Sequence, residues 1–175
     1  MHKRAVKFVL NGEEVEAYIT LKMNLLTLLR EELGITSVKR SCECGDCGAC
    51  TVILDGKTVT TIEGIGLPSN LHPLQEAFAS LGATQCGFCT PGMILSAKAL
   101  LDENLDVSVE DVKRALSGNL CRCTGYTKPV QAVLSVAKSM RESAGVMSSR
   151  AVPEREKVLV GRTDRAPDSQ QKGGE

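Results

Sequence analysis

Between residues 5 and 20 the apolar side chains fall on every second position, Val6, Phe8 and Leu10 and then Val15, Ala17 and Ile19, with Asn11-Gly12 between the two runs. A period of two marks a half-buried strand, and Asn-Gly is the strongest short-range hairpin signal, so the chain opens on a β-hairpin. Leu25, Leu26, Leu28, Leu29 and Leu33 then follow a helical spacing, with Asn24 placed to cap the helix and Gly34 to stop it. Thr51 to Leu54, the Asp55-Gly56 turn and Thr58 to Ile62 read as a second hairpin. Two hairpins and one helix predict a small α+β sheet domain of the ferredoxin (β-grasp) kind over residues 1–66.

From residue 70 the period becomes helical. His72-Pro73 opens a segment with Leu74, Ala77, Phe78 and Leu81 on one face and Gly82 beyond its end. Pro91-Gly92 leads into Met93, Ile94, Ala97, Leu100 and Leu101. Ser108 and Asp111 form a capping-box pattern before Val109, Val112 and Leu116, and Pro129 sits in the first turn of a last helix carrying Val130, Val133, Leu134, Ala137 and Met140. The pattern therefore predicts four short helices around one core over residues 70–141, with Phe78 and Met93 inside it. Residues 142–175 have mixed charges and no aromatic residue, which predicts a disordered tail.

Composition narrows the function. The formal net charge is zero and aromatic residues make up 3% of the 175, so neither phosphate attraction nor base stacking is available and nucleic acid is excluded as a partner. No apolar run is long enough to span a bilayer, and the basic opening runs into polar Asn11-Gly12-Glu13-Glu14 without the apolar region of a signal peptide. The expected compartment is the cytoplasm, where the chain's eight cysteines point to metal rather than to disulfides.

Two cysteine pairs stand beside the predicted helix starts, Cys86 and Cys89 in Gln85-Cys86-Gly87-Phe88-Cys89-Thr90-Pro91-Gly92, and Cys121 and Cys123 in Cys121-Arg122-Cys123-Thr124-Gly125-Tyr126. Free N–H groups at a helix start favour thiolate over thiol, and four converging thiolates suit a soft metal or an iron-sulfur cluster. Two other readings share this spacing: a structural zinc site with four cysteines, and a thiol-disulfide motif at Cys86-Gly87-Phe88-Cys89. Further upstream, Cys42, Cys47 and Cys50 reproduce the C-x4-C-x2-C spacing of plant-type [2Fe-2S] proteins once Cys44 is skipped. His72 reads as a helix-start residue rather than a ligand.

Taken together, Phe8-x-Leu10-Asn11-Gly12, Leu28-Leu29-Arg30-Glu31-x-Leu33-Gly34, Cys47-Gly48-Ala49-Cys50-Thr51-Val52, the Gln85 stretch and Gly118 to Tyr126 resemble the iron-sulfur subunit of molybdenum hydroxylases, the xanthine dehydrogenase, aldehyde oxidase and carbon monoxide dehydrogenase group. The resemblance spans roughly residues 5–140. It implies a ferredoxin-like domain followed by a helical domain with a second [2Fe-2S] cluster, and an electron path from molybdenum through both clusters, usually to FAD. By the same resemblance Cys86, Cys89, Cys121 and Cys123 hold the cluster nearer molybdenum, while Gln85, with the Cys123 region beside it, contacts the molybdopterin. The implied partners are a molybdenum-binding large subunit and an FAD-binding subunit; the chain itself is an electron carrier with no catalytic group.

The sequence also departs from the family. Ser37 and Ser41 stand where the family has Gly, Cys44 stands where it has no cysteine, and the segment that would carry the fourth N-terminal ligand is missing, so that no cysteine lies between Cys50 and Cys86. The N-terminal cluster is therefore expected to be absent or abnormal, with Ser37 and Ser41 strained by left-handed backbone angles.

Overall fold

The computed structural model describes residues 3–145 and the backbone of Val158–Val160. β1 (Arg4–Leu10) and β2 (Glu13–Ile19) pair antiparallel with Val6 opposite Ala17 and Phe8 opposite Val15, so the alternating apolar residues share one face. Asn11 and Gly12 take positive φ angles of 53° and 91°, as a tight two-residue turn between twisted strands requires. α1 (Leu25–Thr27) is capped by Asn24, whose side chain accepts from Thr27 N–H at 2.8 Å. It runs on as a π-turn over Leu28–Glu32, in which Leu33 N–H reaches back to the Leu28 carbonyl and Leu29 becomes fully buried.

β3 (Val52–Asp55) and β4 (Thr58–Thr60) form the second hairpin, with β4 shorter than the predicted strand because the chain turns into a 3-10 turn at Ile62–Gly64. β4 also pairs in parallel with β1, with Val9 opposite Thr58 and Leu10 opposite Val59. One described stretch falls within the expected tail. β5 (Val158–Val160) pairs antiparallel along β3, giving the strand order β2-β1-β4-β3-β5. An outer strand leaves backbone N–H and C=O groups unpaired, and a Val-Leu-Val segment is suited to pair with them. Residues 146–157 and 161–175, where the rest of the expected tail falls, lie outside the described residues.

α2 (Pro73–Ser80), α3 (Thr90–Glu103), α4 (Val109–Leu116) and α5 (Thr127–Ala144) pack around Leu74, Phe78, Met93, Val112, Leu116 and Val133. His72 caps α2: its Nδ1 accepts from Leu74 N–H at 3.2 Å, and its own N–H donates to Gln75 Oε1 at 2.8 Å. Ser108 and Asp111 complete the capping box of α4, and the hydrogen bonds from the Ser108 hydroxyl and N–H hold the Asp111 carboxyl below its usual range. A separate core of Leu10, Leu29, Val38, Val52 and Val59 lies between α1 and the sheet. Ile53 of β3 packs with Leu95 and Ala99 of α3 and joins sheet to helices. Among the described residues no helix is long and apolar enough to cross a membrane.

The sheet–helix contact and the helix caps make different contributions to stability. Leu95→Ala should cost about 2–5 kcal/mol by leaving a cavity at the contact, against about 1 kcal/mol for Ser108→Ala at the α4 cap. Urea unfolding of the metal-free chain measures both.

Candidate metal centre

Helix α3 starts at the second cysteine of its pair, since Cys89 is its N-cap and Pro91 follows in the first turn. Cys121 and Cys123 precede α5 in a turn that ends at Tyr126, whose φ of 65° is left-handed. That conformation costs a bulky residue on the order of 1–2 kcal/mol. It sends the Tyr126 hydroxyl back to accept Cys121 N–H at 2.8 Å and to donate to the Asn119 carbonyl at 3.0 Å, which shapes the loop bearing the second pair. The folded chain brings the two pairs together. Cys123 Sγ lies 3.8 Å from Cys86 Sγ, the edge expected when two thiolates share a tetrahedral metal about 2.3 Å from each sulfur. Cys89 and Cys121 form the second pair, each shifting the other's proton affinity.

The four sulfurs therefore approach two by two. Among the described residues no three His, Cys, Asp or Glu side chains stand close enough together to hold one metal ion. Two irons with two thiolates each match this arrangement, and the four-thiol set fits a [2Fe-2S] cluster. Burial also divides the sites, with Cys89 buried, Cys121 half-buried, and Cys86 and Cys123 exposed on one surface. Gln85 is exposed beside Cys86 in the chain, as is Arg122 between Cys121 and Cys123.

Proton affinities follow the same pairing. Burial raises the Cys121 thiol, but hydrogen bonds from the Thr124 hydroxyl, the Thr124 and Cys123 N–H groups and the Cys89 thiol outweigh it and lower its pKa to about 7. The Thr124 hydroxyl and N–H lie 3.2 and 3.4 Å from Cys121 Sγ. Cys89 is pushed up to about 12, first by burial and then by donating to Cys121. Cys123 is raised because it donates to Cys86. Each pair thus keeps a proton that metal binding would release.

The N-terminal loop is organised differently. Cys42 is lowered to about 6 by N–H groups of Cys44 and Cys47, the Cys47 thiol and the N–H of Asp46. Cys50 is raised by burial and then by its neighbours Cys47 and Cys42. Cys44 donates its thiol proton to Asp46 Oδ2 at 3.2 Å and is raised by that bond and by Cys42 beside it. Cys47 N–H lies 3.4 Å from Cys42 Sγ and Cys50 follows on the same loop, but the β3–β4 hairpin carries no cysteine to stand opposite them, so these three thiols do not by themselves complete a plant-type [2Fe-2S] centre with four thiolates.

The expected strain at Ser37 and Ser41 is corrected by the structure: among the described non-glycine residues only Asn11, Glu43 and Tyr126 take positive φ. The loop places that angle on Glu43 instead, and the Ser37 hydroxyl donates to Glu63 Oε2 at 2.7 Å. Asn119, Thr124 and Tyr126 stand in the sequence only as parts of the Gly118 to Tyr126 motif, and spacing alone assigns them no role. A tyrosine five residues after Cys121 was their one visible signal.

Comparison with known proteins places this geometry. Residues 61–134 match the family described as "[2Fe-2S] binding domain". Over 143 residues the chain is 48% identical to the nicotinate dehydrogenase small FeS subunit of Eubacterium barkeri, covering 73% of this chain and 91% of that subunit. Over 145 residues it is 49% identical to the aldehyde oxidoreductase of Megalodesulfovibrio gigas, covering 73% of this chain but only 16% of that much longer protein. The structure of quinoline 2-oxidoreductase from Pseudomonas putida 86 superposes with a TM-score of 0.76 at 36% identity, covering 80% of this chain and 97% of the matched one.

Removing the Thr124 hydroxyl should move the Cys121 half-ionisation point up from about 7 towards the ordinary thiol range. In the metal-free Thr124→Val chain, alkylation of Cys121 followed by mass spectrometry across pH 6–9 should show a slower reaction at neutral pH than in the native chain.

Proposed function

The chain belongs to the small iron-sulfur subunits of the molybdenum hydroxylase family, and from that premise we propose that it relays electrons from a molybdenum centre in a partner subunit towards FAD or another acceptor. The observation that carries this reading is the 3.8 Å approach of Cys86 to Cys123 from two distant loops, with Cys89 and Cys121 shifting each other's proton affinity beside it. These four cysteines would hold one [2Fe-2S] cluster, each pair on one iron. When bound, such a cluster takes up and releases one electron at a time, which is what a relay between two-electron centres needs.

The chain's own residues hold and tune this site. Thr124 places a hydroxyl and an N–H against the Cys121 sulfur, and hydrogen bonds to ligand sulfurs are a main control of cluster potential. Burial of Cys89 keeps water from one side, while exposure of Cys86 and Cys123 leaves the other side for a partner. Exposed Phe88 and Leu120 lie on the same two loops and supply apolar area for docking. In this reading Gln85 hydrogen-bonds the molybdopterin held by the large subunit, with the Cys123 region alongside. Hydroxylation and flavin reduction would belong to partner subunits, one binding molybdenum and one binding FAD.

A ferredoxin-like (β-grasp) unit over residues 1–66 and a four-helix cluster-binding unit over 70–141 are part of the same proposal. The parallel β1–β4 pairing and the separate cores of sheet and helices support it. Because Cys42, Cys47 and Cys50 lack a fourth thiolate, no electron step is assigned to the N-terminal loop.

The purified chain should contain about two irons and give one reduced paramagnetic signal. Cys86→Ser and Cys121→Ser should each abolish that signal; a signal that survives both substitutions, or about four irons with two signals, would contradict this ligand assignment. On assembly with the large subunit, amide exchange should slow at residues 85–92 and 121–126, and unchanged exchange there would rule out this docking face.

A further inference from the structure

Asn119 is 2% exposed, and a polar side chain at that depth is costly unless its atoms are partnered. Its Nδ2 donates to the Gly48 carbonyl at 3.0 Å and to Thr51 Oγ1 at 3.3 Å, and its Oδ1 accepts from Ser96 Oγ at 2.8 Å. Its backbone is used as well: the N–H donates to the Leu116 carbonyl at 2.9 Å, and the carbonyl accepts the Tyr126 hydroxyl that also holds Cys121 N–H. The next residue, Leu120, donates its N–H to the Cys47 carbonyl at 2.8 Å. One amide side chain and its neighbour thus join three parts of the fold, namely the Cys47–Cys50 loop, helix α3 and the arm carrying Cys121 and Cys123.

The junction leaves no room for error. A Cβ on Gly48 would lie 2.2 Å from the Gly118 carbonyl oxygen and 2.7 Å from Asn119 Nδ2, and a Cβ on Gly92 would lie 2.4 Å from the Gly48 carbonyl oxygen. Asn119 touches no ligand sulfur, so its influence must run through the Cys121 arm.

We propose that Asn119 is the positioning residue of the helical cluster site, locking the Cys121–Cys123 arm onto the Cys47–Cys50 loop and so fixing where Cys121 and Cys123 meet Cys89 and Cys86. This rests on the assignment of one [2Fe-2S] cluster to those four cysteines. It gives the N-terminal cysteine loop a purpose that needs no metal: the loop is a template for the helical site, ordered by Asn119, Thr51 and Leu120.

The full chain, loaded anaerobically with iron and sulfide, is examined by visible circular dichroism, by the paramagnetic signal of its reduced form and by the rate of iron loss to a chelator. Asn119→Ala leaves Ser96 without its acceptor and the Gly48 carbonyl without one donor. It should change both spectra and speed iron loss about tenfold. Tyr126→Phe keeps the ring but releases Cys121 N–H, and should shift the spectra in the same way. The double variant should be little worse than the more severe single one, because both act on one arm.

If Asn119→Ala lowers the unfolding midpoint but leaves the spectra and the release rate unchanged, Asn119 is only a core residue and the proposal is overturned. Should Asn119→Ala fail to fold, Asn119→Asp decides together with Tyr126→Phe, since it keeps the acceptor for Ser96 but loses the donor to Gly48; unchanged spectra in both would also overturn it. A native chain that shows no [2Fe-2S] spectrum on loading would instead overturn the cluster assignment itself, a result seen before any variant is compared.

Discussion

The structure depends on a close approach of backbones at Gly48. Its carbonyl accepts from Thr51 N–H, from the Thr51 hydroxyl at 2.7 Å and from the Asn119 amide, and its Cα faces the Gly118 carbonyl across a gap too small for a methyl group. Only glycine at 48 and at 92 lets the N-terminal loop lie against the start of α3. Once that contact forms, Cys47 is bonded through its carbonyl to Leu120, next to Cys121, and the two cysteine-bearing halves become one assembly. The packing of Ile53 on Leu95 and Ala99 continues the same contact into the hydrophobic core.

Around this contact the thiols are arranged by charge. Cys121 and Cys42 are each surrounded by donors that favour the thiolate, while Cys89, Cys123, Cys44 and Cys50 are held towards the thiol by burial or by donating to a neighbour. Crowded thiolates would repel, and sharing protons between neighbours relieves that repulsion in the metal-free chain. The helical set then differs from the N-terminal set in how its thiols are placed rather than in its chemistry. The helical set brings two thiols from each of two distant loops, whereas the N-terminal thiols, Cys44 among them, all lie on one loop. The N-terminal loop is held in part by hydrogen bonds that involve no thiol, from Asn119 and Thr51 to the Gly48 carbonyl.

Much of the fold was legible in the sequence, wherever the signal was local. Asn11-Gly12 marked the first hairpin, Asn24, His72 and Ser108 marked helix starts, and Phe78 and Met93 lay in the core that their spacing implied. Turns, caps and apolar periodicity act over a few residues, so they can be read without knowing the fold. The cysteine spacing likewise pointed to the two loops whose thiols Cys86 and Cys123 approach each other.

Tertiary structure decided what depends on residues far apart in the chain. The π-turn after α1, the left-handed angle at Glu43 rather than at Ser37 or Ser41, and the pairing of Val158–Val160 with β3 have no local pattern to announce them. The same holds for the partners of Asn119, one of which lies 71 residues away. By itself the sequence determined which residues could bind metal and where the first hairpin and the four helices of the second half would lie, because those properties reside in side chains and short spacings. Only folding decided which thiol faces which, because Cys86 and Cys123 stand 37 residues apart in the chain and meet only when their two loops pack together.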